Sequence, residues 1–136
     1  MKIIELTETQ FKNYSKLHSS RNYFQTVEYA NTKPNYNKIF LGFINESDNT
    51  LMGASLILEK DIFKFKVGYV PGGFLVDYDN DNLFRDFVNT LKVYLKEKKY
   101  VYLTTENKTT YKMFDKNREV IYFDTNILNY LMNYHL

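Results

Sequence analysis

The chain has 136 residues, a formal net charge of +2 from 18 basic and 16 acidic side chains, and no cysteine. This length is typical of one domain, the small charge excludes the strongly basic surface of a dedicated nucleic-acid binder, and the lack of cysteine excludes disulfides and thiolate metal sites. Glu5 interrupts the first residues, and no apolar run approaches the about 18 residues of a membrane span, so a cytoplasmic protein without a membrane span is expected.

The first third of the chain predicts two short helices. A capping box that begins at Thr7 precedes apolar side chains at helical spacing, which predicts a helix over residues 8–18. A second short helix is predicted over residues 23–30, with Val27 on its apolar side. Pro34 ends this region, because proline disfavours helical geometry in the residue before it.

Three strands are predicted next. The apolar runs at residues 38–44 and 51–58 flank a polar turn and predict an antiparallel hairpin, whose first strand is covered on both faces and lies near the sheet centre. After a charged turn at residues 59–61, alternating apolar side chains from Phe63 to Tyr69 predict a third strand with one aromatic face. The three strands therefore form a meander.

The rest of the chain predicts a helical crossover. Residues 81–98 carry an apolar stripe at spacings of three and four, and residues 100–104 predict a strand that returns beside the third strand. Residues 106–119 are polar, residues 120–123 form a short apolar run, and a terminal helix is predicted to include residues 127–132. The whole predicts one mixed α/β (α+β) domain that resembles the first part of the GNAT acyltransferase fold, a three-layer domain that is incomplete at its C-terminal end.

Several segments resemble the N-terminal part of the Fem family, whose members are aminoacyl-tRNA-dependent peptidyltransferases that build the interpeptide bridge of peptidoglycan. The segments are residues 24–26 with 29–30 and Lys33, then 41–43, 52–56, 69–78 and 126–131. The resemblance implies that residues 1–136 form the N-terminal lobe of a two-lobed transferase. Its implied partners are aminoacyl-tRNA and a lipid-linked or nucleotide-linked muramyl-peptide precursor, and it would use no acetyl-CoA or other cofactor.

The resemblance also implies the substrate-binding residues, while it assigns no catalytic residue. These residues are Lys33, Tyr69, Gly72, Gly73 and Asp77. Lys33 and Asp77 would contact the muramyl-peptide, and the backbone around the two glycines would shape a cleft near the start of the helix that follows. The family usually has arginine at the position of Gly72, so a cation is missing there. Taken alone, the residues favour a turn residue at Asp77 and an exposed lysine at Lys33.

Two other charged clusters resemble functional sites. Asp77, Asp79 and Asp81 alternate as in a calcium loop, but Asn82 and Val88 stand where that loop needs glycine and glutamate, so no metal site is expected. Four lysines near the end of the predicted crossover helix favour a solvated helix end, with contact to an RNA backbone as the alternative. These lysines are Lys92, Lys96, Lys98 and Lys99.

The length of the chain leaves two functions open. The family proteins are more than twice as long, so the chain is expected to be part of a transferase that is inactive in isolation. The alternative is a non-catalytic GNAT-like half domain that binds a partner, or forms a homodimer through a sheet edge left open after the last strand.

Overall fold

The structure, a computed structural model, describes residues 1–106 and 118–126. Within these residues the chain forms six strands, three α-helices and one 3₁₀ turn. In chain order they are β1 (Lys2–Glu5), α1 (Glu8–Ser15), the 3₁₀ turn (Tyr23–Gln25), α2 (Val27–Ala30), β2 (Asn37–Asn45), β3 (Thr50–Ile62), β4 (Phe65–Val70), α3 (Asp81–Glu97), β5 (Tyr100–Glu106) and β6 (Arg118–Phe123). No helix of this described part is both long and apolar enough to cross a membrane.

The strands form one sheet in the order β1-β2-β3-β4-β5-β6. All neighbours are antiparallel except β4 and β5, which run parallel because α3 connects them. The predicted meander and helical crossover are therefore confirmed. The parallel pair brings the C-terminal ends of β4 and β5 to the same edge of the sheet.

Helices cover both faces of the sheet and make three layers. The α3 layer buries Phe87, Leu91 and Leu95, which recur at spacings of four along the helix. Their partners on that face of the sheet are Leu41, Phe43, Ile57, Val70, Tyr100 and Leu103. On the opposite face, α1 and α2 contribute Phe11 and Ala30 to a second buried cluster. A strand buried on both sides needs apolar residues at odd and even positions alike, which is the pattern that β2 and β3 carry.

The N-terminal predictions are partly wrong. Strand β1 was not predicted, and it pairs with β2, so β2 is the second strand of the sheet instead of a central one. The capping box is confirmed, but α1 ends at Ser15, and Leu17 beyond it is 78% exposed. The predicted second helix is broken at Thr26, whose side chain accepts a hydrogen bond from the Tyr29 amide and starts α2.

The charged turn predicted after the second strand of the hairpin is also wrong, because β3 continues through Glu59 and Asp61 to Ile62. A strand tolerates these acids because Lys66 of β4 lies across from them, with Nζ 2.9 Å from an oxygen of each. The hydroxyl of Tyr100 donates a hydrogen bond to the other oxygen of Glu59. The hydrogen bond from Lys66 lowers the pKa of Asp61. The buried carboxylate of Glu59 is stable here because both of its oxygens have a hydrogen-bond partner.

The predicted strand after α3 is longer than expected, and β6 pairs with it along its outer side. The free edges of the described sheet are thus β1 and β6. Dimerisation through an edge stays a prediction, and it would use β6 instead of β5. The apolar run at residues 120–123 lies within β6, whereas the predicted terminal helix over residues 127–132 lies outside the described residues.

Alkaline pH is expected to destabilise the fold through its buried tyrosines. Burial raises the pKa of Tyr78, Tyr94 and Tyr100, and the hydrogen bond to Glu59 raises that of Tyr100 further. The folded state then keeps protons that the unfolded chain loses above pH about 10, so this stability is complete below that pH and falls as the pH rises. Urea unfolding followed by circular dichroism should show this decline, and Tyr100→Phe should make it shallower. An unchanged decline in that variant would contradict the assignment.

Candidate functional site

The candidate site lies where β4 ends. The pairing of β4 with β3 stops at Tyr69 and Leu58. The chain then leaves the sheet over residues 71–74 and rejoins β3 at Leu75, which exchanges two backbone hydrogen bonds of 2.9 Å with Ala54. The excursion opens a gap between β3 and the departing chain.

The side chain of Gln25 fills this gap. It is fully buried, and its amide accepts a hydrogen bond from the Leu56 amide at 2.8 Å and donates to the Leu56 carbonyl at 3.2 Å. It also donates to the Pro71 carbonyl at 2.6 Å. One side-chain amide therefore stands in for a missing strand and satisfies backbone groups that would otherwise be buried without partners.

Two glycines allow the excursion. Gly72 and Gly73 have φ values of 71° and 83°, in the left-handed region that favours glycine. Gly72 also packs closely against Asn22 and Phe24. A Cβ added at Gly72 would lie 2.2 Å from Oδ1 of Asn22 and 2.9 Å from Cβ of Phe24. The side chain of Asn22 donates to the Gly72 carbonyl at 3.3 Å. This crowding gives a physical reason for glycine where the Fem family usually has arginine.

A charged cluster joins the C-terminal ends of the parallel pair. The hydroxyl of Tyr69 donates a hydrogen bond to the carboxylate of Glu106, the last residue of β5. Arg118 lies opposite Glu106 on β6, and its guanidinium carbon is 4.2 Å from the centre of the Tyr69 ring. Burial raises the pKa of the Tyr69 hydroxyl, and the hydrogen bond to Glu106 raises it further. Tyr69 therefore stays protonated at neutral pH, as a fixed donor and not as a base.

Lys33 approaches the same region from the α2 side of the sheet. Its Nζ lies 5.4 Å from the centre of the Tyr29 ring, a distance that allows a cation–π contact. The ring of Tyr29 contacts Phe24, and the Tyr29 hydroxyl contributes to the raised pKa of Tyr69. The structure thus places Lys33 against the ring of Tyr29, which, like Tyr69, packs against the second buried cluster.

Asp77 lies beyond the excursion, before α3. It is exposed, as predicted for an accessible carboxylate, and one of its oxygens accepts a hydrogen bond of 3.0 Å from the Asp79 amide. The cap of α3 is Asn80, whose side chain accepts from the Leu83 amide at 3.1 Å. Three cavities of about 720, 450 and 350 Å³ lie elsewhere, and Asp77 lines none of them. Within the described residues no hydrogen bond or ion pair joins Asp77 to Lys33, so their joint role in substrate binding stays a prediction.

Sequence reasoning missed three residues of this site, namely Gln25, Glu106 and Arg118. Nothing local distinguishes Gln25, because its partners are 31 and 46 residues away in the chain. Glu106 had a usable signal, since it follows a strand predicted to lie parallel to β4, and the ends of parallel strands meet.

Solved structures of other proteins define the fold class of the chain. The described architecture resembles an acetyltransferase of Trypanosoma brucei, with a TM-score of 0.50 at 10% identity over 85% of this chain and 95% of that one. It also resembles the crystal structure of FemX, with a TM-score of 0.64 at 20% identity over 98% of this chain and 31% of FemX. These likenesses show a GNAT-like fold.

A sequence model of the FemAB family matches residues 6–134, so the chain belongs to the FemAB family. A relative by sequence is the aminoacyltransferase FemA of Staphylococcus aureus, which is 27% identical over 123 residues. That alignment covers 88% of this chain and 29% of FemA. The chain therefore spans about three tenths of the length of the relatives that it matches.

Proposed function

We propose that this chain is the acceptor-binding N-terminal lobe of an aminoacyltransferase that uses aminoacyl-tRNA to extend the peptide of a peptidoglycan precursor. The family match over residues 6–134 carries the proposal, because it includes the whole excursion after β4. The aminoacyl donor, aminoacyl-tRNA, is a cytoplasmic molecule, so the proposed reaction takes place in the cytoplasm. The domain assignment, residues 1–136 as one GNAT-like lobe, is part of the same proposal.

The geometry supports a binding lobe for a charged peptide. Three side chains would supply an ammonium group, a protonated hydroxyl and a carboxylate. Lys33 lies against the Tyr29 ring, Tyr69 lies near the end of β4, and Asp77 is exposed before α3. A muramyl-peptide carries both carboxylates and amides, which such groups recognise by charge-assisted hydrogen bonds.

The start of α3 supports a transferase that does not take its acyl group from a coenzyme A thioester. A helix N-terminus binds phosphate when its amides are free and its charge is positive. Here the Asn80 side chain occupies one of those amides, and Asp81 adds a negative charge in the first turn. A pyrophosphate at this position would meet repulsion from Asp79 and Asp81.

Removing the Asp77 charge is expected to weaken precursor binding. In calorimetric titrations with a muramyl-pentapeptide precursor, Asp77→Asn should raise Kd about tenfold, equivalent to about 1.4 kcal/mol. Lys33→Met should act in the same direction because it removes an ammonium group that would pair with a carboxylate of the precursor. Asp79→Asn is the matched control, since Asp79 is also exposed and its amide still donates to Asp77.

The control decides between a specific carboxylate and a general effect of charge. Unchanged binding in Asp79→Asn with loss in Asp77→Asn supports the proposal. Equal losses in the two variants, or wild-type affinity in both Asp77→Asn and Lys33→Met, would contradict it.

A further inference from the structure

The cavity of about 720 Å³ lies between α1 and the sheet, at the β1 side of the molecule. Its floor consists of apolar side chains from β1, β2, β3 and the residue that follows β1. They are Ile4, Leu6, Ile44 and Leu51, and strand register places Ile44 opposite Leu51. Pockets that bind small ligands measure about 300–1,000 Å³, so this one is large enough for a whole small molecule.

A glycine beneath the floor deepens this pocket. Gly42 of β2 lies opposite Ile4 of β1. A Cβ added at Gly42 would lie 2.7 Å from Cδ1 of Leu51 and 2.9 Å from Cδ2 of Leu6. A larger residue would therefore push both leucines away from the sheet and into the pocket. The depth of the pocket depends on glycine at this position.

One wall of the pocket carries two uncharged aromatic rings. The ring centres of Tyr14 and His18 are 5.4 Å apart, and the ring planes are tilted by 40°. The Ser20 amide donates a hydrogen bond of 2.9 Å to Nδ1 of His18, so this nitrogen carries no proton and the imidazole is neutral. Burial raises the pKa of the Tyr14 hydroxyl, which therefore also stays uncharged at neutral pH.

The remaining lining is polar without charge. Among the described residues, no lysine, arginine, aspartate or glutamate lines the pocket. Asn13 and Asn49 are exposed lining residues whose side-chain amides supply both hydrogen-bond donors and acceptors. A charged ligand would lose part of its hydration here and find no opposite charge in return. The lining therefore favours a neutral ligand with an apolar body and a polar end.

We propose that this pocket binds a neutral small molecule whose apolar body contains an aromatic ring. The ring packs against Tyr14 and His18 in the offset or edge-on arrangement that aromatic pairs prefer, and the rest of the body covers the leucine floor. The polar end bonds to the amides of Asn13 and Asn49. This inference goes beyond the acceptor-binding proposal and does not depend on it, because no residue implied in precursor binding lines the pocket.

The test uses phenylnaphthylamine, a neutral dye whose fluorescence rises in apolar surroundings, with no precursor present. The dye is titrated into the full chain while the methyl signals of Leu6, Ile44 and Leu51 are followed by NMR. We expect saturable fluorescence and saturable shifts at these methyl groups. Anilinonaphthalene sulfonate, the same dye with a sulfonate added, should bind at least about fivefold more weakly, because its charge has no partner in the lining. Naphthol should displace the dye at a lower concentration than decanol, which has as many carbon atoms but no ring.

A matched pair of variants locates the binding. Asn13→Trp should weaken dye binding at least about fivefold, because the new ring fills the pocket from an exposed position of α1. Lys16→Trp is the control, since it places the same ring at an exposed position directly after α1 that does not line the pocket. Wild-type affinity in Lys16→Trp supports the site.

Three results would overturn the proposal. The first is the absence of saturable methyl shifts in the wild-type chain, and the second is an equal loss of affinity in Asn13→Trp and Lys16→Trp. The third concerns the ligand class. Binding of the sulfonate as tight as that of the neutral dye, or displacement by decanol as effective as that by naphthol, would show that the pocket selects neither a neutral nor an aromatic ligand.

Discussion

Gln25→Ala is expected to lower the free energy of unfolding by roughly 3–5 kcal/mol, because it leaves several buried backbone groups without partners. The groups are the amide and carbonyl of Leu56 and the carbonyl of Pro71, and the loss of the side chain adds a cavity in a fully buried place. Urea denaturation measures the change. Hydrogen exchange at the Leu56 amide should accelerate more than exchange in α3, since the gap opens locally first.

A second glutamine provides the control for this result. Gln10 also bonds to backbone, accepting from the Thr7 amide at 2.9 Å in the capping box, but it is exposed. Gln10→Ala should cost only about 0.5–1 kcal/mol, because water replaces the lost partner. If Gln25→Ala destabilises no more than Gln10→Ala does, the excursion after β4 is held by other contacts.

Gly72→Ala is expected to destabilise the fold by about 2–4 kcal/mol through strain and overpacking. Its φ of 71° is unfavourable for any residue with a side chain, and the new Cβ would lie 2.2 Å from Oδ1 of Asn22. Asn22 would have to move, which removes its hydrogen bonds to the Phe24 amide and the Gly72 carbonyl. Gly72→Arg should be at least as harmful, although arginine is usual there in the family.

Gly53→Ala is the control for adding a Cβ at a glycine that has no positive φ and no close neighbour. Gly53 is buried in β3, has no positive φ, and a Cβ added there would make only ordinary contacts of 3.4 Å or more. We expect this variant to stay within about 1 kcal/mol of the wild type. Thermal unfolding of the two variants side by side tests the argument, and similar midpoints would show that the Gly72 conformation is not required.

The sequence predicted those elements whose causes are local. The helix Asp81–Glu97 was predicted nearly to its ends, because its cap at Asn80 and its apolar stripe lie within the element itself. The meander followed from runs of apolar residues. Strand β1 was not predicted, because its four residues are too few to show a periodic pattern of apolar side chains.

Elements that depend on distant partners were predicted poorly. Glu59 and Asp61 gave a turn signal, but Lys66 neutralises them across the hairpin and keeps them within β3. The cluster of Tyr69, Glu106 and Arg118 needs three strands in register before its members meet, and periodicity does not report register between strands. The substrate-binding residues came from the family resemblance alone, and their roles are still predictions.

The central claim is that this 136-residue chain binds the acceptor but does not complete aminoacyl transfer. The transfer needs the precursor amine and the aminoacyl ester held together, and such positioning supplies much of the rate of a bimolecular reaction. The most direct measurement incubates the purified chain with charged tRNA and a muramyl-pentapeptide precursor and follows the product by mass spectrometry. We predict precursor binding with no transfer above the enzyme-free rate. Transfer well above that rate, lost in Asp77→Ala, would contradict the account.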